Sequence, residues 1–368
     1  MFLSELGSGW HDARIKPDIV HLDSASAGRS SNAVIEAISG QLWEESKRGS
    51  YAAMAAAEED LAHGSRELAG LIGHQPDELV YRDTGRAALR ALLGVANLPM
   101  SSTIWVARNE FGPNLVEFER RGYAVHTLPQ VDVYGHVDTD ALENMLQFEQ
   151  PEFIHVCQIG SASGVVQPVA EIVRVAHAAD VPVVVDMAQS VGHVPTVTGA
   201  DVVYGTSRKW LTGPRGVGFA AVRPDSRLHV DIADMAAGAS SGFIAGRLGL
   251  GVAVAELVGM DPAGVFDELA AIGRAMRERL TGIAGWEVLE PVDEPSALIT
   301  LAPPPGFEAA DVDAVAVHLR EAGLLVTAGG AERAPLMLTN SVLRLSPHLD
   351  ATREDLDRLA AELRTTGC

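Results

Sequence analysis

One aspartate and one lysine, separated by a short stretch of chain, have the surroundings that covalent cofactor chemistry needs. Asp186 closes the apolar run PVVVD, and Lys209 lies in the polar, glycine-bounded turn GTSRKWLTG. A carboxylate at the end of a buried strand is costly unless a cation meets it. A lysine on a fixed loop forms an imine with the aldehyde of pyridoxal phosphate, and a nearby aspartate keeps the ring nitrogen protonated. Each residue alone would be ordinary, but together they predict a pyridoxal phosphate site.

The pattern of strands and helices around this pair indicates an α/β fold. Residues 183–185 are a β-branched run too short for a helix, which is typical of a strand buried on both faces. Strands alternate with helices from residue 78 to residue 222, and this alternation predicts a mostly parallel sheet with helices on both faces. Sheets of this kind bind ligands at the carboxyl ends of their strands, where the motif residues fall.

Composition restricts the class of protein further. The 368 residues are 47% hydrophobic, enough for a large core, and the length suits two domains. The net charge of −21 argues against nucleic acids and anionic membranes as partners. Residues 1–10 show no export signal, no apolar run reaches the roughly 18 residues of a spanning helix, and two cysteines argue against a disulfide framework. We therefore expect a cytoplasmic protein.

The two motifs resemble those of a known enzyme family. DMAQ, from Asp186, and SRKWLTGPRGVG, from Ser207, are similar to the matching segments of the class V branch of fold-type I pyridoxal phosphate enzymes. Within that branch the sequence is most similar to the C–S lyases of ergothioneine biosynthesis. The resemblance runs from His21 to the C-terminal helix.

The resemblance implies a domain organisation and an assembly. It implies an N-terminal arm at residues 1–20, a large cofactor-binding domain at 21–230 and a smaller α+β domain at 231–368. It also implies a homodimer with shared active sites, in which Ser240 and Ser241 are candidates to reach the partner's phosphate group.

A strand, a small polar turn and a helix form the predicted phosphate site. A strand at residues 78–81 leads into RDTGR and an apolar-periodic helix at 87–95. The free amide groups of a helix N-terminus bind anions. The resemblance assigns to the cofactor phosphate a set of residues from two turns: Thr84, Gly85, Arg86, Thr206, Ser207 and Arg208. Either Thr84 or Asp83 also suits an ordinary helix N-cap, which is compatible with a phosphate site.

The resemblance also assigns residues to the cofactor ring. Phe111, in the polar loop NEFGPN, is the candidate to stack on the ring face. Ser161, in the loop GSASGVVQP, takes the place of the residue that hydrogen-bonds the phenolic oxygen, and Gln189 is assigned near the same oxygen. Asp186 pairs with the ring nitrogen, and Lys209 carries the imine.

Substrate contacts are assigned on the same basis. Arg344 lies in the apolar strand predicted at residues 342–348, where family members bind the substrate carboxylate, and a guanidinium suits two-point binding of that group. Asn114, Ser24 and Ser26 are further candidates; both serines belong to a small, polar segment that lets the backbone approach a ligand. No metal is assigned.

The implied reaction is β-elimination from an S-substituted cysteine or its sulfoxide. Lys209 removes the Cα proton, the C–S bond breaks, and pyruvate and ammonia are released. The most similar lyases carry a His-Arg pair where this chain has Ala162 and Ser163. This difference leaves open another S-cysteine conjugate, as in lincosamide-type natural products, processed by C–S lysis or by decarboxylation with oxidative deamination. A class V aminotransferase uses the same residues and is a second alternative.

Other classes fit less well. A cysteine desulfurase needs a mobile nucleophilic cysteine, and residues 324–340 contain none; Cys157 is predicted to be a buried structural thiol, and Cys368 is the last residue. An NAD-binding oxidoreductase needs a glycine-rich turn between a strand and a helix, whereas residues 213–218 lead into a strand. A pyridoxal phosphate-binding regulator without turnover has no visible DNA-binding module to support it.

Overall fold

The computed structural model describes residues 4–96, 98–237 and 242–366. Its strands are β1 (Val20–His21), β2 (Leu79–Arg82), β3 (Thr103–Val106), β4 (Ala124–Thr127), β5 (Phe153–Cys157), β6 (Val183–Asp186), β7 (Val202–Thr206), β8 (Gly218–Val222), β9 (Glu287–Val288), β10 (Ile299–Ala302), β11 (Leu324–Leu325), β12 (Thr327–Gly329) and β13 (Val342–Leu345). Its helices are α1 (Glu5–Asp12), α2 (Asn32–Arg48), α3 (Ser50–Ala56), α4 (Glu58–Leu71), α5 (Gly85–Val95), α6 (Gly112–Glu119), α7 (Thr139–Leu146), α8 (Val169–Ala178), α9 (Ile232–Ala236), α10 (Ile244–Gly259), α11 (Pro262–Leu280), α12 (Ala309–Glu321) and α13 (Arg353–Thr365). The predicted α/β class is confirmed.

A seven-stranded sheet in the order β2-β8-β7-β6-β5-β3-β4 lies at the centre of the molecule. The strands run parallel except β8, which is antiparallel to both β2 and β7. Successive strand residues point to opposite faces, so Val184 lies in one hydrophobic core, and Val183 and Val185 lie in the other. Helices cover both faces, with α4 and α8 on one side and α5 and α6 on the other. The predicted mostly parallel sheet is confirmed.

A smaller antiparallel sheet, β12-β13-β10-β9, has a hydrophobic core of its own with α12 and α13. It is the α+β part predicted for the C-terminal region. The short parallel pair β1–β11 joins the N-terminal segment to this region. The N-terminal segment also contacts the large-sheet side, because the Gly28 N–H donates to the Arg208 carbonyl oxygen at 2.8 Å.

The core of the large sheet continues beyond the domain boundary predicted at residue 230. α10 packs against α2 and α4, and its Leu250 and Val254 belong to the same core as Val183. α10 and α11 meet at an angle of 85°. Within the described ranges no single helix is long and apolar enough to cross a membrane, and only this bent pair passes on length and composition.

The segment around Phe111 differs from the predicted loop, because a helix begins there. α6 starts at Gly112 with Pro113 in its first turn, where the fixed φ and missing N–H of proline suit a helix start. Phe111 is the N-cap residue. Asn114 lies in the first turn and is 1% exposed. The helix directs the Asn114 side chain to the carboxyl end of β6.

A buried arginine fixes the loop that carries Ser161. The Arg277 guanidinium, on α11, donates to the carbonyl oxygens of Val292 (3.0 Å), Ser296 (2.9 Å) and Glu294. The segment that Arg277 holds in this way includes Glu294, whose side chain accepts the backbone N–H of Val166 at 2.7 Å. Arg277 therefore holds the loop after β5 in place through an intermediate loop.

We predict that Arg277→Met lowers the free energy of unfolding by about 3 kcal/mol, because it leaves buried carbonyl groups without donors. Urea denaturation followed by circular dichroism measures the change. Arg274→Met is the matched control, since Arg274 is exposed one turn earlier on the same helix; it should stay within about 0.5 kcal/mol of the parent. Equal stability of the two variants would contradict the assignment.

Candidate active site

One cavity of about 420 Å³ brings together most of the residues that the sequence singled out. Its lining includes Ser26, Thr84, Gly85, Arg86, Phe111, Asn114, Ser161, Asp186, Gln189, Thr206, Arg208, Lys209 and Arg344. These residues come from both sheets and from the N-terminal segment. The cavity lies where strands β5, β6 and β7 end, as expected for an open α/β sheet.

Two predicted site residues do not line this cavity. Ser207 is fully buried, and its hydroxyl donates to the carbonyl oxygen of Pro214, because the turn after β7 directs it under the glycine-rich segment. Ser24 is also fully buried, and its hydroxyl has no partner among the described residues. The structure therefore places Ser207 and Ser24 outside the lining in which the phosphate and substrate contacts were expected.

Asp186 is held in a fixed orientation at the end of β6. It is 7% exposed, and its Oδ1 accepts the backbone N–H of Ala188 at 2.8 Å. Its Oδ2 accepts from Asn114 Nδ2 at 3.2 Å. The same amide nitrogen lies 2.9 Å from Glu110 Oε1 and 3.1 Å from the Tyr204 hydroxyl. Asn114, expected to contact substrate, therefore uses its donor group to hold Asp186.

Lys209 has the properties of a reactive amine. Burial lowers its pKa from 10.5 to about 7; the charge of Asp186 opposes this effect, and the Arg208 and Arg344 cations add to it. The turn that carries Lys209 is packed tightly against Gly28, where an added Cβ would lie 2.3 Å from the Lys209 carbonyl oxygen. The amine is neutral, and therefore nucleophilic, above about pH 7.

The N-terminus of α5 forms one end of the cavity. Thr84 caps the helix by accepting the Ala87 N–H at 3.0 Å, so the N-cap prediction is confirmed. Gly85 lies against β7, where a Cβ would be 3.1 Å from the Gly205 carbonyl oxygen. The close backbone packing and the free N–H groups at the helix N-terminus together suit the binding of an anion. Thr206, on β7, also faces this end of the cavity.

Arginines dominate the charge of the lining. Five arginines and Lys209 face a single carboxylate, Asp186; the arginines are Arg86, Arg208, Arg215, Arg333 and Arg344. Sequence reasoning missed Arg215 and Arg333. Arg215 lies within the GPRG turn and Arg333 lies within residues 324–340, and only the fold brings these two arginines to one cavity.

Arg344 is fixed from several sides. It is 2% exposed on β13, and its Nη1 donates to the Ser161 carbonyl oxygen at 2.7 Å. Its Nη2 donates to Ser26 Oγ at 2.5 Å and to Asp23 Oδ1 at 3.3 Å. Its Nε is buried without a partner in the described part of the chain. Burial is the main reason that its pKa falls to about 10.

The other residues assigned to the cofactor ring also line the cavity, and some of their polar groups already have hydrogen-bond partners. Ser161 Oγ donates to the Arg333 carbonyl oxygen at 3.3 Å. Gln189 donates to the Ala25 carbonyl oxygen at 3.1 Å and accepts from Trp210 Nε1 at 2.9 Å. Phe111 also lines the cavity. The neighbours of Ser161 in its loop, Ala162 and Ser163, are buried at 1% and 0% exposure.

The fold and this site define a member of a known enzyme family. The model of the aminotransferase class-V family matches residues 20–359, and the chain belongs to that family. It is 38% identical to a probable hercynylcysteine sulfoxide lyase of Mycobacterium tuberculosis, over 97% of this chain and 93% of that protein. It is 30% identical to a probable cysteine desulfurase of Methanothermobacter thermautotrophicus, over 56% of this chain and 54% of that protein.

A solved structure shows the same fold. The crystal structure of the cysteine desulfurase CsdA from Escherichia coli matches with a TM-score of 0.83 and 20% identity, covering 98% of each chain. The family uses pyridoxal phosphate, and the protein is a pyridoxal phosphate enzyme.

The residues present fit this cofactor. The N-terminus of α5 and the neighbouring Arg208 suit its phosphate, Asp186 suits its ring nitrogen, Phe111 suits its ring face, and Lys209 suits its aldehyde. All of them lie around one cavity of sufficient size for a small cofactor and an amino acid.

We predict that the rate at which the apoenzyme captures pyridoxal phosphate rises with pH and levels off above about pH 7. The low pKa of Lys209 has this consequence, because only the neutral amine attacks an aldehyde. Stopped-flow absorbance measures the rate. Asp186→Asn should move the midpoint to lower pH, because it removes a charge that stabilises the ammonium form. A rate that still rises near pH 10, as for an ordinary lysine, would refute this assignment.

Proposed function

We propose that this protein cleaves the C–S bond of an S-substituted cysteine or its sulfoxide by β-elimination, with release of pyruvate and ammonia. The observation that carries the proposal is the placement of Arg344 in the same cavity as Lys209 and Asp186, on a strand of the other sheet. The identity to a hercynylcysteine sulfoxide lyase over nearly the whole chain supports a sulfoxide substrate.

Arg344 binds the substrate carboxylate. Its guanidinium is already oriented by Ser161, Ser26 and Asp23, so little side-chain entropy is lost when a ligand binds. Arg344 lines the cavity, and Asp23 is the carboxylate that stabilises its charge in the free protein. A substrate carboxylate in the cavity adds a second ion pair, which fixes the substrate in the space that Lys209 also lines.

Lys209 moves the proton. When bound, the cofactor withdraws electrons from the carbon next to the substrate amine. The neutral Lys209 amine accepts the proton from that carbon, and the electron pair left there expels the sulfur group from Cβ. One water is consumed as the remaining three-carbon unit is released as pyruvate and ammonia. Asp186 keeps its negative charge throughout and stabilises the protonated ring nitrogen.

Cysteine placement favours a lyase over a desulfurase. Residues 324–340 contain no cysteine. Cys157 is a buried free thiol beside Asp186 in the sheet, and burial raises its pKa well above 9. Cys157 lines the cavity, but a protonated thiol is a poor nucleophile. Cys368 lies outside the described residues, as do Ser240 and Ser241.

The arginine surplus favours a substrate with a second acceptor group. The cofactor phosphate and the substrate carboxylate neutralise only part of the cationic lining. Arg333 is half-buried, and its guanidinium has no hydrogen-bond or ion-pair partner among the described residues. Burial is the main cause of the lowered pKa values of Arg208 and Arg344, and the charge of Arg333 lowers both values further. The Arg333 guanidinium therefore lies near those of Arg208 and Arg344. We assign it to a sulfoxide oxygen or a second carboxylate of the substrate.

We also propose a homodimer that works in the cytoplasm. α2 and α3 expose large apolar side chains: Ile35 (46%), Leu42 (48%), Trp43 (68%) and Tyr51 (86%). Such a cluster on a soluble-type fold is typical of a protein interface. A free cysteine is consistent with a reducing compartment, and cell fractionation tests that location.

The test of the reaction is mass spectrometry of the products formed from a panel of S-substituted cysteines and their sulfoxides, including hercynylcysteine sulfoxide. We expect pyruvate, ammonia and the sulfur product, with a higher rate for a sulfoxide. The matched control is Lys209→Ala, which should abolish both turnover and the absorbance band of the lysine-bound cofactor. Carbon dioxide with an aldehyde product would instead assign a decarboxylating reaction, and an amino-group transfer would assign an aminotransferase.

The test of the assembly is light scattering coupled to gel filtration. We expect the parent protein to have the mass of a dimer and Trp43→Glu to have the mass of a monomer, because a buried charge disrupts an apolar interface. Phe148→Glu is the control, since Phe148 is 89% exposed and lies outside this cluster; it should remain dimeric. A monomeric parent would refute the proposed homodimer.

A further inference from the structure

A buried hydrogen-bond network lies behind Asp186, outside the roles assigned so far. Glu110 Oε2 and His155 Nδ1 are 2.7 Å apart, and both side chains are fully buried. His155 Nε2 lies 2.9 Å from the Tyr204 hydroxyl. The Tyr204 hydroxyl and Asp186 Oδ2 lie 3.1 Å and 3.2 Å from the same Asn114 Nδ2, and the Asp186 carboxylate helps to raise the Tyr204 pKa, for which burial is the main cause. A continuous chain of contacts therefore leads from Glu110 to Asp186.

Glu110 can act only as an acceptor in this network. Its Oε1 accepts from the Phe111 N–H (2.8 Å), Asn114 Nδ2 (2.9 Å) and the Cys157 thiol (3.2 Å). Burial alone would raise the pKa of Glu110, but His155 and these donors bring it below the ordinary value. Glu110 is therefore ionised.

His155 is consequently an imidazolium. Burial opposes its charge, but the carboxylates of Glu110 and Asp186 raise its pKa above the ordinary value. Both ring nitrogens then donate, Nδ1–H to Glu110 and Nε2–H to the Tyr204 oxygen. Asn114 Nδ2 also lies 3.1 Å from this oxygen, and it is a donor group that cannot accept a proton. Because neither His155 nor the Asn114 amide nitrogen can accept the single hydroxyl proton of Tyr204, that proton is directed to Asp186.

The direction of this proton matters for the ring nitrogen. In a dry site, a proton shared by a ring nitrogen and a carboxylate tends to move to the carboxylate, because that transfer removes both charges. Donors to the carboxylate oppose the transfer by stabilising its negative charge. Asp186 has Ala188 N–H and Asn114 as donors, and Tyr204 is the third.

The charges of the buried groups balance when the ring nitrogen is protonated. Glu110 and Asp186 are negative and His155 is positive, which leaves one negative charge in the network. A protonated ring nitrogen supplies the matching positive charge. The inference rests on the assignment of Asp186 to the ring nitrogen in the proposed function.

We propose that the Glu110–His155 ion pair is a positioning device, which holds the Tyr204 hydroxyl as a donor to Asp186 and so keeps the cofactor's ring nitrogen protonated. His155 and Glu110 touch neither cofactor nor substrate in this role. They act through Tyr204.

His155→Gln is the variant that reverses the hydrogen bond. An amide has one donor end and one acceptor end. The ionised Glu110 takes the donor end, so the amide oxygen faces Tyr204 and the tyrosine hydroxyl turns away from Asp186. Tyr204→Phe removes the same donor directly and keeps the aromatic ring.

The experiment is ¹⁵N NMR of the enzyme loaded with pyridoxal phosphate labelled at the ring nitrogen. We expect the parent to show the shift of a protonated nitrogen. His155→Gln and Tyr204→Phe should each move the shift toward that of the unprotonated ring by a similar amount. The double variant should move it no further, because His155 acts through Tyr204. A merely structural role would give effects that add.

Two outcomes overturn the proposal. One is an unchanged ring-nitrogen shift in His155→Gln while Tyr204→Phe changes it, and the other is additive shifts in the double variant. A parent enzyme with an unprotonated ring nitrogen would overturn the role of Asp186 in the proposed function as well, so the two failures are distinguishable.

A second measurement observes His155 itself, by ¹⁵N-histidine labelling. The parent enzyme should show an imidazole with both nitrogens protonated that is absent from His155→Gln, whereas the signal of His136, whose pKa is raised to about 9, is retained in both proteins. Absence of such a signal from the parent enzyme would overturn the proposal on its own.

Discussion

The structure depends on holding a negative charge where a fully buried strand ends. β6 is covered on both faces, so the carboxylate of Asp186 has little access to bulk water. Such a group is tolerated only when donors or cations surround it. The backbone N–H of Ala188 and the amide of Asn114 donate to it, and its charge in turn opposes the fall of the Lys209 pKa. The same burial that makes the carboxylate costly makes the lysine a neutral amine, so stability and reactivity have one cause.

The other elements bring distant parts of the chain to this point. The small sheet contributes Arg344, which donates to the Ser161 carbonyl oxygen on the large-domain side. The N-terminal segment contributes Asp23, whose carboxylate meets both Arg344 and the hydroxyl of Thr327. Arg277 holds the loop that in turn holds the segment of Ser161. These connections are buried or partly buried hydrogen bonds, and most join segments far apart in sequence, so the cavity and the packing of the two sheets form one unit.

The sequence allowed prediction of what depends on neighbouring residues. β-branched runs mark the buried strands, and the turn after β2 marks the start of α5 at Gly85. The partners of Asp186 were not predictable, because they meet only through strand register and helix orientation. His155 reaches Tyr204 because β5, β6 and β7 lie side by side. Glu110 was placed in a loop, and only the helix turn that follows it brings Asn114 to Asp186.

The position of Arg344 bears on which bond of the substrate breaks. Decarboxylation requires the carboxylate to lose its charge as carbon dioxide leaves, and a buried ion pair stabilises that charge in the ground state. Removal of the α-proton leaves the carboxylate and its ion pair intact. Arg344 is oriented by Ser161, Ser26 and Asp23 before any ligand binds, so its attraction for the carboxylate is not weakened by reorganisation. A site built in this way raises the barrier to loss of carbon dioxide relative to proton transfer, and therefore favours elimination of the sulfur group.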